Sequence, residues 1–137
     1  MEEDIATGSR PEGRLLIRTL AMPADTNPRG DIFGGWIVSQ MDLAGLGLAQ
    51  ETADARATTV SIERMSFLQP VRVGDFICCY GKLLEIGRTS MRIGIEVYAI
   101  GHRETDRRQV TKGIFTYVAI DEKGSPIPVM NRKVVHN

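Results

Sequence analysis

The chain is short of cysteine, histidine and surplus charge, and each shortage removes a class of chemistry. Its 137 residues include two cysteines, the neighbours Cys78 and Cys79. Adjacent cysteines rarely bridge, because a disulfide needs a particular approach of the two Cβ atoms. On a strand they point to opposite faces. They read as reduced thiols in or near a core, which favours a reducing compartment. The two histidines, His102 and His136, fall in a charged loop and near the terminus. A Ser-His-Asp or Cys-His nucleophile system therefore has no obvious base, and no Cys/His spacing suits zinc. Lys and Arg number 17 against 17 Asp and Glu, so no global field recruits nucleic acid or an anionic membrane. No run approaches the roughly 18 apolar residues of a membrane span. The start, "MEEDIATGSRPEG", has neither the basic nor the apolar region of a signal peptide. The expectation is one cytoplasmic domain without nucleic-acid or membrane partners.

What is present is ordered. Residues 1–13 read as a flexible tail, 14–121 as a single domain and 122–137 as a polar tail. "RLLIRTLAM" (14–22) predicts a first strand. "PADTNPRGDIF" follows as a long loop, and long ordered loops are often functional. From Gly34 the apolar residues Trp36, Ile37, Val38, Met41, Leu43, Ala44, Leu46, Leu48 and Ala49 cover all angles of a helical wheel. A helix apolar all round belongs in a core. It should end between Glu51 and Asp54. Gly45 and Gly47 cost such a helix about 1 kcal/mol each, as if to let other backbone come close. Strands are predicted over 56–68, 76–86, 91–100 and 109–121 from period-two alternation and β-branched residues. Short links between them imply antiparallel neighbours. The fold class is α+β, a curved antiparallel sheet around one apolar helix.

The helix holds the oddity. Asp42 lies between Met41 and Leu43, and no Lys or Arg occurs between Arg29 and Arg56. A buried, unpaired carboxylate is costly, and such a cost is easiest to rationalise at a working site. Upstream, "GDIFGG" brings glycine N–H groups to the helix start. There the positive dipole end and unpartnered amides suit a developing oxyanion. Gly34 and Gly35 are the candidate donors, and Asn27 in the preceding loop is either a turn residue or a further amide donor. Asp42 follows Gly34 by eight residues, about 12 Å along a helix at 1.5 Å per residue. One carbonyl does not easily reach both in one chain. The simplest geometry takes them from two subunits, which predicts a dimer with shared active sites. "GRTS" (87–90) sets a cation beside two hydroxyls at a turn. It is an ordinary polar hairpin unless the ligand carries phosphates, which Arg binds well.

These residues resemble a known family. "RTLAMPADTNPRGDIFGGWIVSQMD", "VGDFICCYG" and "FTYVAID" are similar to blocks of the short bacterial acyl-CoA thioesterases of the YciA type, in the hot-dog fold superfamily. The similarity runs from about Leu15 to Asp121. It implies a helix wrapped by a curved antiparallel sheet, edge-to-edge dimers and a trimer of dimers. It implies hydrolysis of acyl-CoA to a carboxylic acid and CoA, with no metal or other cofactor. The family's catalytic acid falls on Asp42, its helix-start amide on Gly34 or Gly35, and its loop amide side chain on Asn27. Arg88, Thr89 and Ser90 become candidates for holding CoA. Pro28-Arg29 and the C-terminal tail depart from the pattern, which bears on acyl preference. Two other classes are weighed against this one. A non-catalytic acyl-CoA sensor would be expected to carry an output module, and none is legible. A hot-dog dehydratase calls for a histidine near the helix, and none precedes Ile100.

Overall fold

A computed structural model describes residues 10–103 and 105–129. Strand β1 spans Arg14–Leu20, helix α1 Gly34–Ala53, β2 Arg56–Phe67, β3 Phe76–Ile86, β4 Ser90–Ile100 and β5 Arg107–Ile120. The five strands form one antiparallel sheet in the order β1-β3-β4-β5-β2. The hot-dog expectation of one long helix against a curved antiparallel sheet is what the chain adopts. Residues 1–9 of the expected N-terminal tail and 130–137 of the C-terminal one, His136 included, lie outside the described residues.

Alternation builds the core. On β4, Met91, Ile93, Ile95 and Val97 are buried while Arg92, Gly94 and Glu96 alternate with them on the other face. Phe115, Tyr117 and Ala119 of β5 continue the buried face, because side chains two apart share one side of a strand. The helix lays Ile37, Met41, Ala44, Ala49 and Ala53 against them. It starts after Phe33 without a side-chain cap. It stops at Asp54, whose left-handed backbone (φ 54°) lets its N–H return to the Gln50 carbonyl at 2.8 Å.

Three expectations need correction. The helix is not buried all round, since Leu43 is 57% exposed in the single chain. The space at Gly45 is taken by a side chain, not by backbone: a Cβ there would lie 2.2 Å from the Tyr117 hydroxyl. At Gly47 nothing comes within 4 Å. Finally, β2 and β3 are not neighbours despite their short link. Residues 68–75 cross from one sheet edge toward the other, tied down by Ile32 N–H to Val71 O (3.0 Å) and Ala21 N–H to Asp75 O (2.9 Å). A largely buried ion pair, Arg108 to Asp75 at 2.6 Å, holds the end of that crossing. The result leaves β2 as an edge strand, with Val60, Ile62 and Phe67 exposed.

Cys78 and Cys79 are both buried and form no disulfide among the described residues, and only Cys79 joins the main core cluster. Its thiol is pushed up to about 12, by burial first and by the adjacent Cys78 second. A thiol so rarely ionised is a packing group, not a nucleophile.

Candidate active site

The loop before α1 is folded by its own side chains. Asn27 Oδ1 accepts from the N–H of Arg29 (2.9 Å) and of Asp31 (3.1 Å), while its backbone N–H donates to Asp31 O at 2.7 Å. This is a side-chain-closed turn, completed by Gly30 at φ 92°. The Nδ2 amide of Asn27 is left without an acceptor among the described residues. A bridge between Thr26 and Ile32 carries the loop to the helix start.

There the first helical amides, those of Gly34 and Gly35, have no backbone acceptor among the described residues, as a helix start requires. Gly35 is exposed, with no atom within 4 Å of where a Cβ would be. Gly34 is flanked by the Phe67 ring of β2. Asn27 and the two glycines thus belong to one end of the helix.

Asp42 stands two turns further on and is half-buried. The sequence left it without partners, but the structure gives it two hydroxyls. Thr59 Oγ1 of β2 donates to Asp42 Oδ1 at 2.6 Å, and the Tyr117 hydroxyl of β5 lies 3.0 Å from the same oxygen and 3.1 Å from the Asp42 backbone carbonyl. Burial, and then the negative charge of Asp42, raise the Tyr117 phenol well above its usual range. It stays protonated and can only donate to a carboxylate. Oδ2 of Asp42 has no hydrogen-bond partner among the described residues. Thr59 and Tyr117 were missed because each reads as an ordinary strand former. The usable signal was register, since Thr59 pairs with Tyr117 across β2 and β5 and both alternate onto the helix-facing side.

The Gly87–Ser90 stretch is the tight β3–β4 hairpin, closed by Gly87 N–H to Ser90 O at 2.8 Å. Ser90 pairs with Val118, next to Tyr117, so the hairpin lies at the Asp42 end of the sheet. Its backbone is braced by Ala119 N–H to Thr89 O and Val129 N–H to Arg88 O, both 2.9 Å, with Arg88 exposed. His102 lies exposed in the β4–β5 loop, and the described residues gather no cluster of three or more His, Cys, Asp or Glu side chains suited to a metal. Among the described residues no helix is long and apolar enough to cross a membrane.

Within one chain, then, the structure brings Asp42, Thr59 and Tyr117 together and keeps Gly34, Gly35 and Asn27 apart from them. Comparison with known proteins gives this arrangement a context. Residues 29–105 match the family pattern of the Thioesterase superfamily. The acyl-CoA thioester hydrolase YciA of Salmonella typhimurium is 50% identical over 122 residues, covering 87% of this chain and 92% of that protein. A hexameric broad-specificity acyl-coenzyme A thioesterase, solved as a variant with one aspartate replaced by alanine, superposes with a TM-score of 0.86 at 46% identity, covering 90% of this chain and 93% of its own. A hexameric hotdog fold thioesterase of Campylobacter jejuni gives a TM-score of 0.86 at 37% identity, covering 93% and 100%.

Proposed function

Because the chain belongs to the YciA-type acyl-CoA thioester hydrolases of the Thioesterase superfamily, we propose that Asp42 is its catalytic group in converting acyl-CoA and water to a carboxylic acid and CoA. The observation that carries this reading is the state of the Asp42 carboxylate. One oxygen is held by two hydroxyls and the other has no partner among the described residues. That is how a side chain is kept ready for an incoming group.

The chemistry follows from charge. The Gly34 or Gly35 N–H and the Asn27 amide polarise the thioester carbonyl and hold the oxyanion that forms. Asp42 acts in one of two ways. As a base, it takes a proton from water while the water oxygen bonds to the carbonyl carbon. The adduct then collapses, the C–S bond breaks and the proton passes to the CoA sulfur. As a nucleophile, its oxygen displaces the CoA thiolate and forms a mixed anhydride that water hydrolyses. A single turnover in heavy-oxygen water bears on the choice: label entering Asp42 supports attack by the carboxylate, and label only in the released acid supports base catalysis.

The two halves of the site come from two subunits in this proposal. Edge strand β2 supports it, since Thr59 toward one end touches Asp42 and Phe67 at the other flanks Gly34. Antiparallel pairing of two such edges about Glu63, midway between those residues, sets the Asp42 of one protomer beside Gly34 of the partner subunit. Exposed Val60 and Ile62 supply apolar contact along the edge. The solved relatives named above are hexameric, and a trimer of such dimers is the proposed assembly. The CoA arm lies against the braced hairpin, where Arg88, Thr89 and Ser90 meet its phosphates or pantetheine. A thiol-release assay over a panel of acyl-CoAs tests the function. Wild type releases thiol and Asp42→Ala is slower by about 10³-fold or more, the scale of losing a catalytic base or nucleophile. A near-normal rate in Asp42→Ala removes Asp42 from the mechanism.

A further inference from the structure

We infer that the Tyr117 hydroxyl, seated in the space left by Gly45, is a positioning group that clamps Asp42 through Oδ1 and leaves Oδ2 as the working oxygen. The inference rests on the proposed role of Asp42 and adds a part to it.

Tyr117 is fully buried, and its ring stacks beside Phe115 with centroids 6.3 Å apart and planes 13° from parallel. Phenylalanine would supply that packing equally well. A buried phenol must also satisfy its O–H, and the acceptors this one reaches are both on Asp42, side chain and backbone together, with the Thr59 side chain beside it. Contact with both parts of one residue is informative. It fixes the carboxylate relative to the helix that carries it, so that the side chain cannot rotate without losing the bond. Thr59 reaches the same oxygen from β2 at 2.6 Å. Two donors arriving from two strands converge on Oδ1, and neither touches Oδ2.

Gly45 shows that the helix is shaped for this contact. A glycine inside a helix costs about 1 kcal/mol relative to alanine. At Gly45 an added Cβ would meet the Tyr117 hydroxyl at 2.2 Å, the ring Cζ at 2.8 Å and Ile95 Cδ1 at 2.9 Å. Gly45 lies three residues after Asp42, on the same side of the helix. The missing side chain is what admits the hydroxyl. Gly47, two residues on in the same helix, faces open space and serves as the internal control.

The test uses the full-length protein in steady-state thiol release, with melting temperatures for every variant. Tyr117→Phe keeps the ring and deletes the hydroxyl. Its kcat should fall about 10- to 100-fold, the scale of one hydrogen bond to a charged group, with KM within about twofold because substrate binding is untouched. Gly45→Ala should lower kcat by displacing the hydroxyl, and should lower it much less in a Tyr117→Phe background, where no hydroxyl remains to be displaced. Gly47→Ala should leave kcat unchanged. Wild-type kcat in Tyr117→Phe, or Gly45→Ala and Tyr117→Phe losses that simply multiply, would overturn the inference. Should Gly45→Ala not fold, the kcat-against-KM result for Tyr117→Phe decides alone. Asp42→Ala in the same series separates the two levels. If it is inactive while Tyr117→Phe is normal, only the clamp fails; if it is active, the proposed function fails and the clamp with it.

Discussion

The Phe67 ring lies against Gly34: a Cβ on that glycine would sit 3.4 Å from both Cε1 and Cζ. The contact places a 54% exposed aromatic ring at the mouth of α1, beside amides that lack partners. If the thioester carbonyl docks there, the ring is the wall that shields it from water. Phe67→Ala should therefore reduce kcat/KM about tenfold, since excluding water strengthens the amide contacts to the oxyanion. Unchanged kcat/KM across short and long acyl-CoAs would place the carbonyl elsewhere.

Shared sites make a sharper prediction. Asp42→Ala and Asn27→Ala lesions fall in opposite halves of the site. Refolded together, they form mixed dimers in which one site carries both lesions and the other carries neither. Activity should return to about one quarter of wild type, since half of the dimers are mixed and each has one intact site. Sites built within single chains would give no recovery above the separate variants.

The edge itself can be tested by charge. Ile62 is 44% exposed on β2, and lysine on a free strand edge opposes pairing. Ile62→Lys should give smaller particles by light scattering and lose activity in step with dissociation. Full activity in a monomer would sever catalysis from assembly.

Much of this was legible in the residues. The helix was expected from Gly34 to between Glu51 and Asp54 and runs Gly34–Ala53, because its glycine entry and the return of polarity mark both ends. The strands were equally plain from alternation. Connectivity was not: a short link reads as a hairpin, and only tertiary contacts show that 68–75 instead bonds to Ala21 and Ile32. Leu43 misled for a related reason. A sequence pattern marks a residue as apolar without saying whether its cover lies in the same chain. Asp42 was found by its lack of a cation, whereas its real partners are neutral hydroxyls on strands 17 and 75 residues away in the chain. Such partners carry no charge pattern to read.

Stability should fall in alkali, and the groups responsible can be assigned. The Cys79 thiol stands at about 12 in the fold and returns to roughly 8.5 in the unfolded chain. Between those limits the folded chain keeps a proton that the unfolded chain has released. Stability is therefore fully present below about pH 8 and declines as pH rises, by at most about 1.4 kcal/mol per unit for one group. Tyr117, raised in the same direction by burial and Asp42, adds a second decline once pH passes the unfolded phenol near roughly 10. Urea unfolding from pH 7 to 10.5 should show a downward slope beginning near 8.5 and steepening above 10. Cys79→Ala should lower stability at every pH through the cavity it leaves, yet flatten the first segment. Tyr117→Phe should flatten only the second. A slope that survives in both variants would assign the alkaline loss to other groups.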